Sequence, residues 1–222
     1  MNGVIALLLM LSPAAALAGP WPAAPVPTDA RTSVIGEDMR LNRKPTRLYR
    51  AEIPLPVTAA RDYYRAALGN QRVEPELPGF IVVSGPQAND VFTTVRLRPI
   101  DARRTEAFVM QSRPPQGEDG QPLMPSGSSL LSLTEARDGG RDSRLAMLTN
   151  GLGLQANVEF YVDRLRDLGL RPVQAKTHVR PGGGTRGQVV FFEGPRRTAM
   201  LVVDDYGSHR TVLLNLLSEQ PR

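Results

Sequence analysis

Along residues 91–98 the chain alternates, with Val91, Thr93, Val95 and Leu97 on one set of positions and Phe92, Thr94, Arg96 and Arg98 on the other. A period of two sends these sets to opposite faces of a strand, so the stretch reads as part of a sheet with one buried and one largely wet face. Strands of the same kind are expected at 80–84 and 105–112, separated from it by Gly85-Pro86 and by residues 99–104. Ahead of them, residues 33–39 and 46–53 flank Asn42-Arg43-Lys44-Pro45 and predict a hairpin.

Between hairpin and strands the period changes. Ala60, Tyr63, Tyr64, Ala67 and Leu68 recur at i, i+3, i+4, i+7 and i+8, the spacing of one buried helix face. Thr58 is the expected N-cap and Gly69 the expected stop, because a left-handed residue after a helix costs glycine least.

After residues 113–127, rich in Pro, Gly and charge, the same order returns. Strands at 128–136 and 144–149 flank Asp138-Gly139-Gly140, a strong hairpin turn signal. A helix carries Leu154, Val158, Tyr161, Leu165 and Leu168 on one side and ends at Gly169. Strands follow at 188–193, 198–204 and 211–217. The pattern predicts an α+β protein built from two tandem copies of a hairpin, helix and antiparallel sheet, the helix on one sheet face, over 32–112 and 128–222. The copies share Tyr-x-x-x-Leu (Tyr64 with Leu68, Tyr161 with Leu165) and a Leu-Gly stop. In architecture alone this resembles the tandem helix-on-sheet domains of envelope-assembly proteins, and no residue role carries over from that resemblance.

The copies differ in their strands. In the second, Ala199-Met200-Leu201-Val202-Val203 and residues 211–217 are apolar on both faces, so the side not under the helix needs a cover: the first copy's sheet or another protein. Met200, Val202, Val212, Leu214 and Leu216 are the candidate partner-face residues.

The N-terminus changes the picture from fold to location. An apolar run at 4–11, a break at Pro13 and Ala16 and Ala18 in an A-x-A arrangement read as residues 1–18 of a secretory signal cleaved near Ala18-Gly19, although no Lys or Arg precedes the apolar run. The run is too short for an uncleaved span. A periplasmic or secreted protein is expected, with residues 19–31, rich in Pro and Ala, as a flexible tether. Within it lies Trp21, the only tryptophan, expected either to tuck onto the first sheet or to anchor a partner. No cysteine occurs among the 222 residues, which removes disulfides, thiol chemistry and cysteine-bound metal. An outer-membrane barrel would need longer lipid-facing strands and aromatic girdles, which 5% aromatics do not supply.

Charge narrows the partners. The 27 basic residues exceed the 22 acidic ones only modestly, and no basic-aromatic platform appears, so nucleic acid is a poor partner. Arg40, Arg43, Lys44, Arg47 and Arg50 cluster around the first hairpin turn as an anion-binding candidate for acidic lipid or polysaccharide, or else form a solvated face. Catalytic chemistry is sparse. His178 and His209 are the only histidines, and Asp204, Asp205, Ser208 and His209 fall together on what reads as a turn. Gly182-Gly183-Gly184 lacks the lysine and helix of a phosphate loop. Glu37 and Asp38 are strand neighbours and point apart.

These features lead to the expectation of a non-enzymatic protein without cofactor or metal. It would work by contact with an envelope protein in a secretion, pilus or outer-membrane assembly system. A carrier holding a lipid between helix and sheet is the alternative, and a hydrolase the third.

Overall fold

A computed structural model describes residues 20–116, 121–179, 185–205 and 207–219. The proposed signal at 1–18 and the Gly182–Gly184 run lie outside them. Among the described residues no helix is long and apolar enough to cross a membrane.

The described residues form one antiparallel sheet of 11 strands carrying two helices. In chain order the elements are β1 (Arg31–Leu41), β2 (Lys44–Ile53), α1 (Val57–Leu68), β3 (Ile81–Pro86), β4 (Phe92–Pro99), β5 (Thr105–Ser112), β6 (Ser129–Asp138), β7 (Arg141–Asn150), α2 (Leu154–Asp167), β8 (Arg171–Val179), β9 (Thr185–Gly194), β10 (Arg197–Asp205) and β11 (Arg210–Glu219). The order across the sheet is β3-β4-β5-β2-β1-β6-β7-β11-β10-β9-β8. Each half therefore runs the same path: a hairpin, a helix, then a meander whose last strand pairs with the second hairpin strand, β5 with β2 and β11 with β7. β8 is an additional strand in the second half and forms one sheet edge.

The halves meet edge to edge over a short seam. β1 and β6 pair only at Met39–Ala136, Arg40–Glu135 and Leu41–Thr134. Asn42, which has a positive φ of 49°, extends the seam by one step: its N–H donates to Leu133 O and its Oδ1 accepts from Leu133 N–H, both at 2.8 Å.

Register fixes which way each face looks. Residues directly opposite in a ladder point to the same side, so Ala51 and Ala107 in the first core share a face with Pro45, hence with Arg40 and Glu135 across the seam, hence with Leu133, Ala146 and Leu214. Both helices accordingly lie on one face of the sheet. They cover separate cores. α1 buries Ala60, Tyr64 and Leu68 against Ala51, Ile53, Val95, Leu97 and Val109, while α2 buries Val158, Tyr161 and Leu165 against Leu148, Phe192, Leu201, Val203 and Val212.

One helix start differs from expectation. α1 begins at Val57, with Pro56 as the N-cap and no side-chain cap, so Thr58 already lies inside the first turn. Pro56, which has no N–H to leave unsatisfied, accepts the first helical bond at its carbonyl from Ala60 N–H at 2.9 Å. α2 has Gly153 as its N-cap and is tied down by Asn157, whose Nδ2 donates to Gly153 O at 3.1 Å and to Asn150 Oδ1 at 3.1 Å. Asn150 Nδ2 donates back to Asn157 Oδ1 at 2.8 Å, closing a buried pair between β7 and α2.

From Pro20 onward, the expected tether is a packed strap. Ala24, Val26 and Ala30 lie against the first core, Gln111 Nε2 donates to Pro22 O at 3.2 Å, and the Trp21 ring sits between the guanidiniums of Arg47 and Arg113, 5.0 and 4.3 Å from its centroid. α1 leaves that end of the sheet bare, and proline-rich chain can cover apolar surface without forming a ladder. Residues 121–128 act similarly in the second half: Leu123 and Met124 pack on the core, and Leu123 O accepts from the Tyr161 hydroxyl at 3.0 Å.

Candidate functional site

Among the described residues both helices lie on one side, and the opposite face of the sheet is open. On its second half the ladders align two apolar rows. Val189, Val202, Leu213 and Met147 form one, running β9-β10-β11-β7, and Phe191, Met200, Asn215 and Leu145 form the next. All of these side chains are only partly buried, although they belong to central strands. A hollow of about 270 Å³ opens here, lined on this face by Phe191, Glu193, Thr198, Met200, Asn215 and Leu217. The first copy's sheet does not cover this surface, because it continues the sheet sideways.

The five partner-face candidates divide between the two faces. Met200 and Val202 lie on the open one. Val212 and Leu214 are buried under α2, and Leu216 packs against the same core, so the open-face positions of β11 are Leu213, Asn215 and Leu217. The cause is parity: a strand apolar on both sides does not reveal in its sequence which alternate set meets the helix.

The basic cluster divides as well. Arg43 and Lys44 stand exposed at the hairpin turn, where Arg43 has φ 70°. Arg40 points to the helix side, into a groove of about 430 Å³ above the seam, together with Glu135, Arg137, Asp142 and Arg144. That groove is internally compensated, with Arg144 3.3 Å from Glu135 and Arg137 3.0 Å from Asp142. Arg47 also faces the helix side and stacks on Trp21. Arg50 lies on the open face, as does Lys44 by strand parity, and the Arg50 Nε donates to Glu106 Oε1 at 2.6 Å. The five side chains do not converge on one ligand position.

Sequence spacing passed over the partners of Arg50. Glu106 is almost fully buried at 4% side-chain exposure and also accepts from Arg98 Nε. Burial pushes its carboxyl pKa up, and hydrogen bonds from Arg98 and Arg50 more than reverse this, leaving it below the usual carboxylate value. The available signal was strand alternation, which already placed Arg96 and Arg98 together on the wet face of β4.

Among the described residues, no three His, Asp or Glu side chains gather as a metal site. Asp204 stands 3.6 Å from Arg186, Asp205 3.3 Å from Arg210, and Asp205 Oδ1 also accepts from Gly207 N–H, a turn-forming bond. Ser208 and His209 are exposed beside that turn. The interior between α2 and the sheet is filled by Tyr161, Leu165, Phe192 and Leu201, each at most 1% exposed. No protein-family model matches the chain, and comparison with curated proteins and with solved structures gives no match.

Proposed function

We propose that this chain is an exported, non-catalytic envelope protein that acts by contact, with the open face of its second half seated on a protein partner in a secretion, pilus or outer-membrane assembly complex. One observation carries the proposal: two adjacent rows on central strands, apolar except for Asn215, have no helix over them among the described residues. Apolar surface on central strands is normally covered, so a contiguous uncovered patch marks an interaction surface. A lipid carried between helix and sheet would find that space filled; an amphiphile would have to lie on the open face instead.

The two halves are best understood as two copies of one unit. Supporting this are the common strand path and the matching helix positions: Tyr64 and Tyr161 are both fully buried, and each ring meets its preceding aromatic edge-on, at 5.2 Å from Tyr63 and 5.1 Å from Phe160. The Leu-Gly stop matches less well, since Gly69 follows Tyr64 by five residues and Gly169 follows Tyr161 by eight.

The test is site-specific photocrosslinking in intact cells, with the probe at Phe191, Met200 or Val202 and a control at Asp163 on the exposed side of α2. The expected result is one discrete heavier species from the open-face positions and none from Asp163. Free monomer from every open-face position, in all growth phases, would overturn the proposal.

A further inference from the structure

On the first half of the open face, arginine is the recurring outward residue. Arg50 reaches from β2 and Arg98 from β4, and both extend over the intervening β5 to Glu106. Strands two apart are separated by about 10 Å, so the shared carboxylate draws together two guanidiniums that would otherwise stand clear of each other. Each arginine side chain is 53% exposed while Glu106 is 4% exposed. The carboxylate lies beneath, and the outer edges of both forks remain accessible to solvent. Arg96 lies two residues before Arg98, in the row Arg96-Phe108-Arg50. It is exposed and makes no ion pair among the described residues. The neighbouring acid on β2, Glu52, is engaged by Arg104 at 2.8 Å.

Three guanidiniums therefore share this stretch of the face with one buried carboxylate, an excess of two positive charges. A planar fork that has given its Nε–H to a carboxylate still offers its terminal N–H groups to tetrahedral oxyanions. We propose that this cluster is a binding site for a phosphate monoester. Arg50 and Arg98 are the paired forks, Glu106 is the residue that positions them, and Arg96 is the third donor. A dianion balances that excess, which a single carboxylate does not. Phe108, with Met110 and Leu48 in the next row, provides apolar ground for the group that carries the phosphate. The phosphate can belong to a lipid headgroup or to a soluble molecule.

The experiment titrates inorganic phosphate into the full chain at low ionic strength, followed by calorimetry and phosphorus NMR. Saturable binding that weakens with added chloride is expected. Arg96→Gln and Arg98→Gln should each weaken it about fivefold to tenfold, the size of one lost charge-assisted contact. Arg61→Gln, on α1, should leave it unchanged. Arg96→Gln removes no ion pair and keeps the test valid if Arg98→Gln unfolds. Vesicles containing phosphatidic acid, against phosphatidylcholine alone, then separate the sources: Arg96-dependent partitioning assigns a headgroup, and phosphate binding without partitioning assigns a soluble monoester. No saturable phosphate binding, or binding that neither Arg96→Gln nor Arg98→Gln changes, overturns the proposal. Because it concerns a different half of the face, its failure would leave the crosslinking result at Met200 untouched.

Discussion

Glu106 shows how much one residue's meaning depends on its neighbours. Its folded pKa is below the unfolded value, so its contribution to stability is present above the ordinary carboxylate pKa and is lost as pH falls through the folded one. Glu106→Gln should therefore lower stability by about 1 kcal/mol at neutral pH, a figure reduced by the half-exposed arginines. The gap between variant and parent should narrow as pH falls below the ordinary carboxylate range and close only below the parent's lowered folded pKa, where its carboxyl protonates. Urea midpoints measured between pH 7 and 3 check this; a gap constant with pH would show that charge is not the cause. A second comparison concerns Tyr64 and Tyr161. Both hydroxyl pKa values are raised, chiefly by burial, yet only Tyr161 has a hydrogen-bond acceptor, and the Tyr64 oxygen is buried without a partner. Tyr161→Phe should cost about 1 kcal/mol, while Tyr64→Phe should be neutral or mildly stabilising, because it removes a desolvated group that had no bond to lose. Thermal melts of the two variants side by side decide it. The sequence distinguished neither tyrosine from the other, since both occupy the same helix phase. Their difference is set by residue 123, 38 positions from Tyr161.

At the scale of elements, alternation and turn chemistry made most of the sheet legible. Residues 105–112 match β5 at both ends, and Gly139 and Gly140, with φ 54° and 77°, form the turn that Asp138-Gly139-Gly140 announced. β8 escaped because Pro172, Lys176 and His178 suggest loop. Val173, Ala175, Thr177 and Val179 nevertheless alternate with them, and a lysine and a proline are what an edge strand carries to discourage further pairing. The strap at 20–30 was illegible for a different reason: it has no period at all, and only the bare end of the first core gives it a place. Element packing also constrains Gly194 at the end of β9. A Cβ there would stand 2.5 Å from Gly169 O, a backbone atom of the turn that ends α2. Gly194→Ala should destabilise the protein by about 1–3 kcal/mol through overpacking. Chemical denaturation measures it, and a value within experimental error of the parent would mean that the α2–β8 turn is free to move.

The whole molecule poses a question of cooperativity. Continuous hydrogen bonding across 11 strands suggests one body, yet the apolar clusters under α1 and α2 are separate, and the seam between β1 and β6 holds three residue pairs and the Asn42 clamp. Cooperative unfolding is transmitted by shared apolar burial more than by a few exposed ladder bonds, whose net worth is small once water competes for them. Leu165 is fully buried among Leu148, Phe192 and Val212 and touches nothing in the first core. Leu165→Ala leaves a cavity that should cost about 2–5 kcal/mol. The loss should fall on the second half alone. Native-state hydrogen exchange of that variant should show amides of β7, β9, β10 and β11 opening at lower free energy, while those of β2, β4 and β5 keep the parent's protection. Asn42→Ala should make the uncoupling more complete without lowering either core. If Leu165→Ala instead lowers protection equally from β4 to β10, the seam transmits stability and the sheet folds as one unit. The hydrogen-bonded edge would then contribute more to holding the halves together than its three pairs suggest.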